Sequence, residues 1–581
     1  MKRKHLILLL LLAYVLPLSA QLSRPVEELS APEKRLSPQE WSRRSPGVQL
    51  VWGNADVQYP KYDFPDGTTK KLRLHAWRGE RIGVEALLLA AEEAEVVALS
   101  AEPLEAGSRR IARECLKVSP LRYVLTDSLQ GLDYGCGYRT NKSEWDSLLV
   151  ADCIDDGLRI SLEAASLRPL WLSIDVPRDA APGTYRGKIV ASLSSGKQLS
   201  LPYTLQVASH TLPPATAWNF HLDLWQNPYS VARYFGVPLW SARHFELMRP
   251  MMERLARAGQ KVITTTVMNR PWNGQTEDPF DSMVGKTKHI DGTWTYDYDV
   301  FDRWVTFMMD CGITKQINCY TMVPWALSFD YYDQASHSVR YIQAQPGSRE
   351  YEEYWLPFLQ DFARHLKAKG WFSRTCMALD ERAMEQMEAA LNILHRADKD
   401  FRVSSAAHYY ENLEPRLYDF CLAYADTIPQ AVRERRRAEG KLTTVYTCCA
   451  EARPNTFACS PTAEAAWLPV YSYAAGYDGY LRWAYNSWTK EPLQDARFRT
   501  WVGGDCFLVY PTGSSVRFER LAEGIQQVEK IKCLEAELKA AGRTKDLQRL
   551  HEALRSFTDR EFRRHGAAAA VRRLEDVLAT Y

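Results

Sequence analysis

Asp380 is followed directly by Glu381, and nowhere else in the 581 residues does Glu follow Asp. The pair closes a short apolar run, Thr375-Cys376-Met377-Ala378-Leu379, and precedes a helical pattern over 384–395. Side chains alternate between the faces of a strand. Two neighbouring carboxylates can therefore serve one site only where a strand ends and the chain turns. In a barrel of parallel strands, that end is where catalysis sits. One acid there can donate a proton while the other steadies a developing cation. The same dipeptide could instead cap the following helix, with Asp at the cap and Glu in the first turn.

Other chemistries leave no trace. No HExxH and no paired CxxC occurs, so no metal site is expected. There is no GxSxG elbow, and Gly503-Gly504 is not a phosphate loop, so neither a serine triad nor a nucleotide cofactor is indicated. Most glycosidases set two carboxylates on opposite sides of the scissile bond, whereas adjacent residues act more naturally from one side. That geometry suits substrate assistance, in which a 2-acetamido carbonyl attacks the anomeric carbon. Glu381 then protonates the leaving oxygen and Asp380 accepts the acetamide N–H. The neighbouring Asp380 charge helps Glu381 hold its proton.

Sugar contacts are expected at other strand ends. Asn219, His221, Asp223 and Trp225 alternate with Phe220, Leu222 and Leu224, which turns the polar set into the barrel. Of these, His221 and Trp225 are candidate substrate contacts. Tyr320 and Trp325 follow the third strand pattern. Trp483, Tyr485, Asn486 and Trp488 come from the run 477–488. An aromatic bed with a few polar groups is what a carbohydrate pocket requires. The chain has 18 Trp and 30 Tyr, and 13 of the Trp lie beyond residue 215.

The elements that must position these residues form two blocks. From 48 to 211, β-rich runs over 84–89, 96–99, 170–176, 187–193 and 199–207 are split by turn signals, the pattern of an antiparallel β-sandwich. Leu212-Pro213-Pro214 marks a boundary. Over 215–514, strand-like runs alternate with amphipathic helices. The strands are expected at 218–225, 261–268, 315–320, 375–380, 402–408, 443–447, 479–485 and 506–510, and the helices at 242–258, 301–311, 351–369 and 384–397. Eight such units suit a (β/α)₈ barrel. From 515 to 581 the chain reads as helices over 517–540, 546–557 and 567–579.

Residues 1–20 have a basic start, an apolar core and Leu18-Ser19-Ala20, the pattern of a secretory signal. An exported, periplasmic or secreted bacterial protein is expected. Residues 21–47, with four prolines, read as a poorly ordered lead-in. Later apolar runs are too interrupted to span a membrane. A net charge of +2 and the absence of a basic stripe argue against nucleic acid; Arg433-Glu434-Arg435-Arg436-Arg437 reads as a solvated helix face. The 12 cysteines are not spaced as a dense disulfide framework, and Cys448, Cys449 and Cys459 form the one cluster of note. Oligomeric state is not readable.

On Leu379-Asp380-Glu381-Arg382, the run from Gly479 to Trp488, the run Gly504-Asp505-Cys506-Phe507-Leu508-Val509-Tyr510-Pro511 and the run from Arg517 to Ile525, the chain resembles glycoside hydrolase family 123. The resemblance covers most of the chain beyond residue 20. It implies a β-sandwich joined to a (β/α)₈ catalytic domain and retaining, exo-acting release of terminal β-linked N-acetylgalactosamine from a glycan. It also implies Asp380 as the acetamide-orienting group and Glu381 as acid/base. Two other readings stay open: the same chemistry on N-acetylglucosaminides, and a glycan-binding protein without catalysis.

Overall fold

The computed structural model describes residues 26–29, 36–129, 147–499 and 501–581. The expected signal segment lies outside these residues. Within the stretch read as a poorly ordered lead-in, Pro38–Arg44 is a helix instead. Ser37 and Glu40 form a reciprocal capping box, and Trp41 is fully buried. The prolines there start an element rather than prevent one, since Pro is accommodated in the first helical turn.

Two sheets follow. One runs in the order Val48–Trp52, Arg81–Ala90, Ser166–Asp175, Leu116–Asp127, Ser147–Ile154, with every pair antiparallel. The other runs Arg73–Arg78, Gln198–Thr211, Gly183–Leu193, Ala94–Ala101, Ile160–Leu162. It is antiparallel except where Gln198–Thr211 meets Arg73–Arg78. Leu88, Leu172, Ile189 and Leu205 fill the space between the sheets and are essentially inaccessible.

The barrel comprises β1 (His221–Leu224), β2 (Val262–Thr266), β3 (Gln316–Tyr320), β4 (Thr375–Leu379), β5 (Arg402–Ala407), β6 (Asp419–Ala423), β7 (Leu442–Tyr446) and β8 (Gly479–Arg482). All ladders from β2 round to β8 and on to β1 are parallel. Two expectations are corrected here. Asp419–Ala423 is a strand that the pattern did not single out, and 506–510 is not a strand. Cys506 to Tyr510 is as buried as a strand would be but lies in turns with only isolated bridges. Short apolar runs register burial, and burial is common to both.

The ring is nearly closed. Between β1 and β2 only Lys261 N–H donates backbone to backbone, to Leu222 O at 2.9 Å. Two buried glutamines take over from there. The Gln260 amide accepts from Leu224 N–H at 2.9 Å and donates to Leu224 O at 3.2 Å and Val262 O at 2.7 Å. The Gln226 amide accepts from Thr264 N–H at 2.9 Å and donates to Leu224 O and to Val262 O. A carboxamide carries the same donor and acceptor as a peptide group, so the pair completes a ladder that the backbones leave open.

A further sheet, in the order Trp294–Asp297, Gly285–Lys288, Ser328–Asp333, Ser338–Gln343, is inserted in the loops after β2 and β3. The helix Val516–Ala540 then ties the two domains together. Its Arg517, Glu519, Arg520 and Lys530 pair with Asp152, Arg81, Asp56 and Glu80 of the sandwich block. At Gly524 a Cβ would stand 2.3 Å from Ala466 O, so only glycine permits this close packing on Ala463–Ala474. Thr544–Leu554 and Ala567–Leu578 complete the expected helical end.

Replacing Gln260 with Leu keeps its volume but strands Leu224 N–H and leaves the carbonyls of Leu224 and Val262 to the Gln226 amide alone. Thermal or urea unfolding is expected to show a loss of about 1–3 kcal/mol, the cost of buried unpaired backbone groups. Wild-type stability would show that the amide bridge does not close the barrel.

Candidate active site

β4 ends at Leu379, and Asp380 and Glu381 follow at the barrel mouth. The next helix, Met384–Ala397, has Ala383 as its N-cap and no side-chain capping hydrogen bond. Neither carboxylate is used to start that helix, so the capping alternative is set aside. Asp380 is partly buried and Glu381 is exposed.

The two carboxylates have partners from different strands. Asp380 Oδ2 accepts the indole N–H of Trp325 at 2.9 Å, and its Oδ1 accepts the Glu381 backbone N–H at 2.9 Å. Trp325 lies in the loop after β3, and the Arg382 guanidinium sits 4.8 Å from its ring centroid. Burial pushes the Asp380 carboxyl up to about 6 against these two donors, and the adjacent Glu381 charge adds to the rise. Glu381 leans to the other side of the mouth, where the Tyr446 hydroxyl at the end of β7 donates to Oε1. Burial, and then the Glu381 charge, hold the Tyr446 phenol well above its ordinary range, so it remains a donor.

Beneath Asp380 is an aromatic floor. Trp225, just past β1, lies 4.5 Å from Tyr320 and 5.1 Å from Trp272, and Trp272 lies 5.0 Å from Tyr320. All three are buried. Trp483, past β8, is half-buried and donates to Asp505 Oδ1 at 3.2 Å. Asp505 is itself fully buried and paired with Arg482 at 2.5 Å.

Trp225, Tyr320 and Trp483 stand at or just past strand ends and Trp325 in the loop after β3, while four other candidates lie away from the mouth. His221 points into the barrel but stands at the foot of β1, buried and 3.3 Å from Asp419 at the foot of β6. Inward direction was legible from alternation; depth along the strand was not. Burial, and then the Asp419 charge, push Asp223, one step higher on the same inner face, up to about 7. Tyr485, Asn486 and Trp488 turn back into the protein and are fully buried. Tyr485 donates to Met251 O at 3.1 Å, Asn486 brackets Asn227 through both amide atoms, and Trp488 donates to Val509 O at 2.7 Å. Each is a satisfied core group with no face left for a ligand.

Sequence reasoning missed Tyr446, Arg382 and Trp272. Tyr446 had a usable signal, an aromatic hydroxyl closing the run 443–447. Trp272 and Arg382 lie in loops, where no periodicity gives direction. Cys448 and Cys459 are free, while Cys449 is disulfide-bonded. Among the described residues no group of three or more His, Cys, Asp or Glu is placed to hold a metal, and no helix is long and apolar enough to cross a membrane.

A cavity of about 680 Å³ lies between the sandwich block and the C-terminal helices and has neither Asp380 nor Glu381 in its wall. A second, about 230 Å³, is lined by Trp325, Ala326, Leu327, Gln343, Ala344 and Gln345. The strand ends and the carboxylates, rather than cavity size, locate the site.

Residues 225–534 match the sequence profile of the glycoside hydrolase 123 catalytic domain, and 52–192 that of the glycoside hydrolase 123 N-terminal domain. A family 123 glycoside hydrolase from Clostridium perfringens, studied for glycolipid glycan hydrolysis, superposes with a TM-score of 0.82 at 24% identity. It covers 92% of this chain and 98% of its own. A Bacteroides ovatus GH5 xyloglucanase reaches a TM-score of only 0.28 at 10% identity, over 78% of this chain and 98% of its own. No curated protein matches the chain.

Replacing Trp325 with Phe removes one donor from ionised Asp380. The acid limb of the kcat/KM–pH profile, expected near 6, should then move to higher pH, since losing a hydrogen bond to the charged form disfavours that form. An unmoved limb would mean that Asp380 does not set it.

Proposed function

The chain belongs to the glycoside hydrolase 123 family, and on that footing we propose that it is a retaining, exo-acting β-N-acetylgalactosaminidase using the substrate's own acetamide as nucleophile. The observation that carries this reading is the pair of consecutive carboxylates at the end of β4, one partly buried and one open to solvent. It is an arrangement for work from one side of the sugar.

In the first half-reaction the acetamido oxygen attacks the anomeric carbon as the glycosidic bond breaks, and the leaving oxygen takes the proton of Glu381. Asp380 accepts the acetamide N–H, and its charge balances the oxazolinium cation that forms. Exposed Glu381 has room to reach the leaving oxygen. In the second half-reaction Glu381, now ionised and held by the Tyr446 hydroxyl, removes a proton from water, which opens the oxazolinium with net retention. Asp380 must be ionised to act. Its raised pKa therefore places activity above about pH 6 and loss of activity below it. Trp225, Tyr320 and Trp483 are the proposed sugar contacts. The likeness to a glycolipid-glycan hydrolase and the apolar segment at residues 6–16 support an exported enzyme meeting glycans outside the cytoplasm.

The deciding measurement is hydrolysis of paired aryl β-N-acetylgalactosaminide and β-N-acetylglucosaminide, with the first-formed anomer followed by NMR. The expected result is the β-anomer and preference for the galacto compound. The α-anomer first, or an equal rate on a 2-hydroxyl sugar, would end the acetamide mechanism. Preference for the gluco compound would shift specificity at the 4-hydroxyl and leave the mechanism intact. Glu381→Gln should lower turnover of natural linkages by about 10²–10⁴-fold. Asp380→Asn should lower it by about 10²–10³-fold, because the cation loses its counter-charge. Full activity in either variant would remove that residue from the mechanism.

A further inference from the structure

The mouth continues beyond Trp325 onto the inserted sheet. Its outer hairpin pairs Ser328 with Gln343, Asp330 with Tyr341 and Tyr332 with Val339, so these six side chains share one face. The opposite face is packed, with Phe329 fully buried against Tyr351, Tyr354 and Trp355. The shared face is bare: Tyr332 is 41%, Val339 59% and Tyr341 53% exposed. Of the eight exposed large apolar side chains among the described residues, Ile290, Trp325, Tyr332, Val339 and Tyr341 belong to this sheet and its loops. Such clustering on a soluble surface marks a binding face rather than chance exposure.

The face is joined to the dyad. Gln343 and Trp325 line the same cavity of about 230 Å³, and Trp325 holds Asp380. At the rim, Asp330 Oδ1 accepts the Asn269 N–H at 3.0 Å, and the Tyr341 hydroxyl lies 3.5 Å from Asn269 Nδ2. Asn269 follows β2, so the bare face overhangs the barrel mouth. From Gln343 to Val339 it runs about 13 Å at the usual strand rise. Phenol rings and one branched aliphatic alternate here with Gln343, Ser328 and Asp330. That mixture suits a sugar chain, whose C–H faces lie on rings while its hydroxyls reach amides and carboxylates. A uniform apolar sheet would suit a lipid surface, and acidic Asp330 on this face would repel an anionic one.

We propose that this face binds the sugars on the leaving-group side of the scissile bond, so that the preferred substrate is an oligosaccharide rather than a single sugar on a small stem. The inference rests on the exo-acting reading above. An exo enzyme holds one sugar in its reactive pocket, and whatever extends out of the mouth is leaving group.

The test compares wild type and Tyr341→Ala on two substrates, an aryl β-N-acetylgalactosaminide and a trisaccharide ending in β-linked N-acetylgalactosamine. For the trisaccharide, kcat/KM is expected to fall about tenfold through KM, roughly the worth of one aromatic contact. The aryl rate should hold, and Tyr341→Phe should restore the trisaccharide rate because it keeps the ring. Equal effects on both substrates, or none on either, would overturn the proposal. Should wild type cleave neither compound, the catalytic reading fails, and calorimetric titration with the intact trisaccharide judges the platform alone. Binding weakened by Tyr341→Ala sustains it, and unchanged or absent binding removes it.

Discussion

Two carboxylates on consecutive residues repel each other, and each needs a reason to stay where it is. Here the reasons come from opposite sides of one barrel mouth. An indole N–H from the loop after β3 fixes Asp380, and a phenol from the end of β7 fixes Glu381. The two acids therefore differ in environment as well as in sequence. One is enclosed and has its pKa raised to about 6, while the other stands in solvent. Division of labour between neighbouring acids depends on this kind of environmental contrast.

A site divided between β3, β4 and β7 is only as steady as the ring that carries those strands. The weak seam of that ring lies between β1 and β2, where the backbones exchange little and two buried glutamine amides bridge the gap. The floor under Asp380 crosses the same seam, since Trp225 comes from the end of β1 and Trp272 from the loop after β2. Around the outside, the helix Val516–Ala540 clamps the sandwich onto the barrel through buried ion pairs such as Arg517 with Asp152 and Arg520 with Asp56. Buried pairs of this kind are costly to break because a partner is left charged and dry. They fix orientation between domains more surely than they add stability.

Most elements were legible in the chain. Helices expected at 242–258, 351–369, 384–397, 517–540 and 567–579 stand within about two residues of the observed ones, because a long amphipathic period is a strong local signal. Seven of the barrel strands were also found in place. The exchange of 506–510 for Asp419–Ala423 shows the limit of that signal. Five apolar residues look alike whether they pair in a sheet or pack under one, and only neighbours distant in sequence decide.

By itself the sequence determined where acids meet the end of a strand, and hence which chemistry was available. That follows from alternation and from the order of runs, both properties of adjacent residues. Tertiary structure decided which aromatics face the sugar. Tyr485 and Trp488 lie within a few positions of Trp483, yet they fill the core while Trp483 stays at the mouth. Tyr446, more than sixty positions away from Glu381, became its partner. The direction of a side chain past the last strand residue depends on what the returning chain packs against, and that information is held in contacts between segments rather than in either segment.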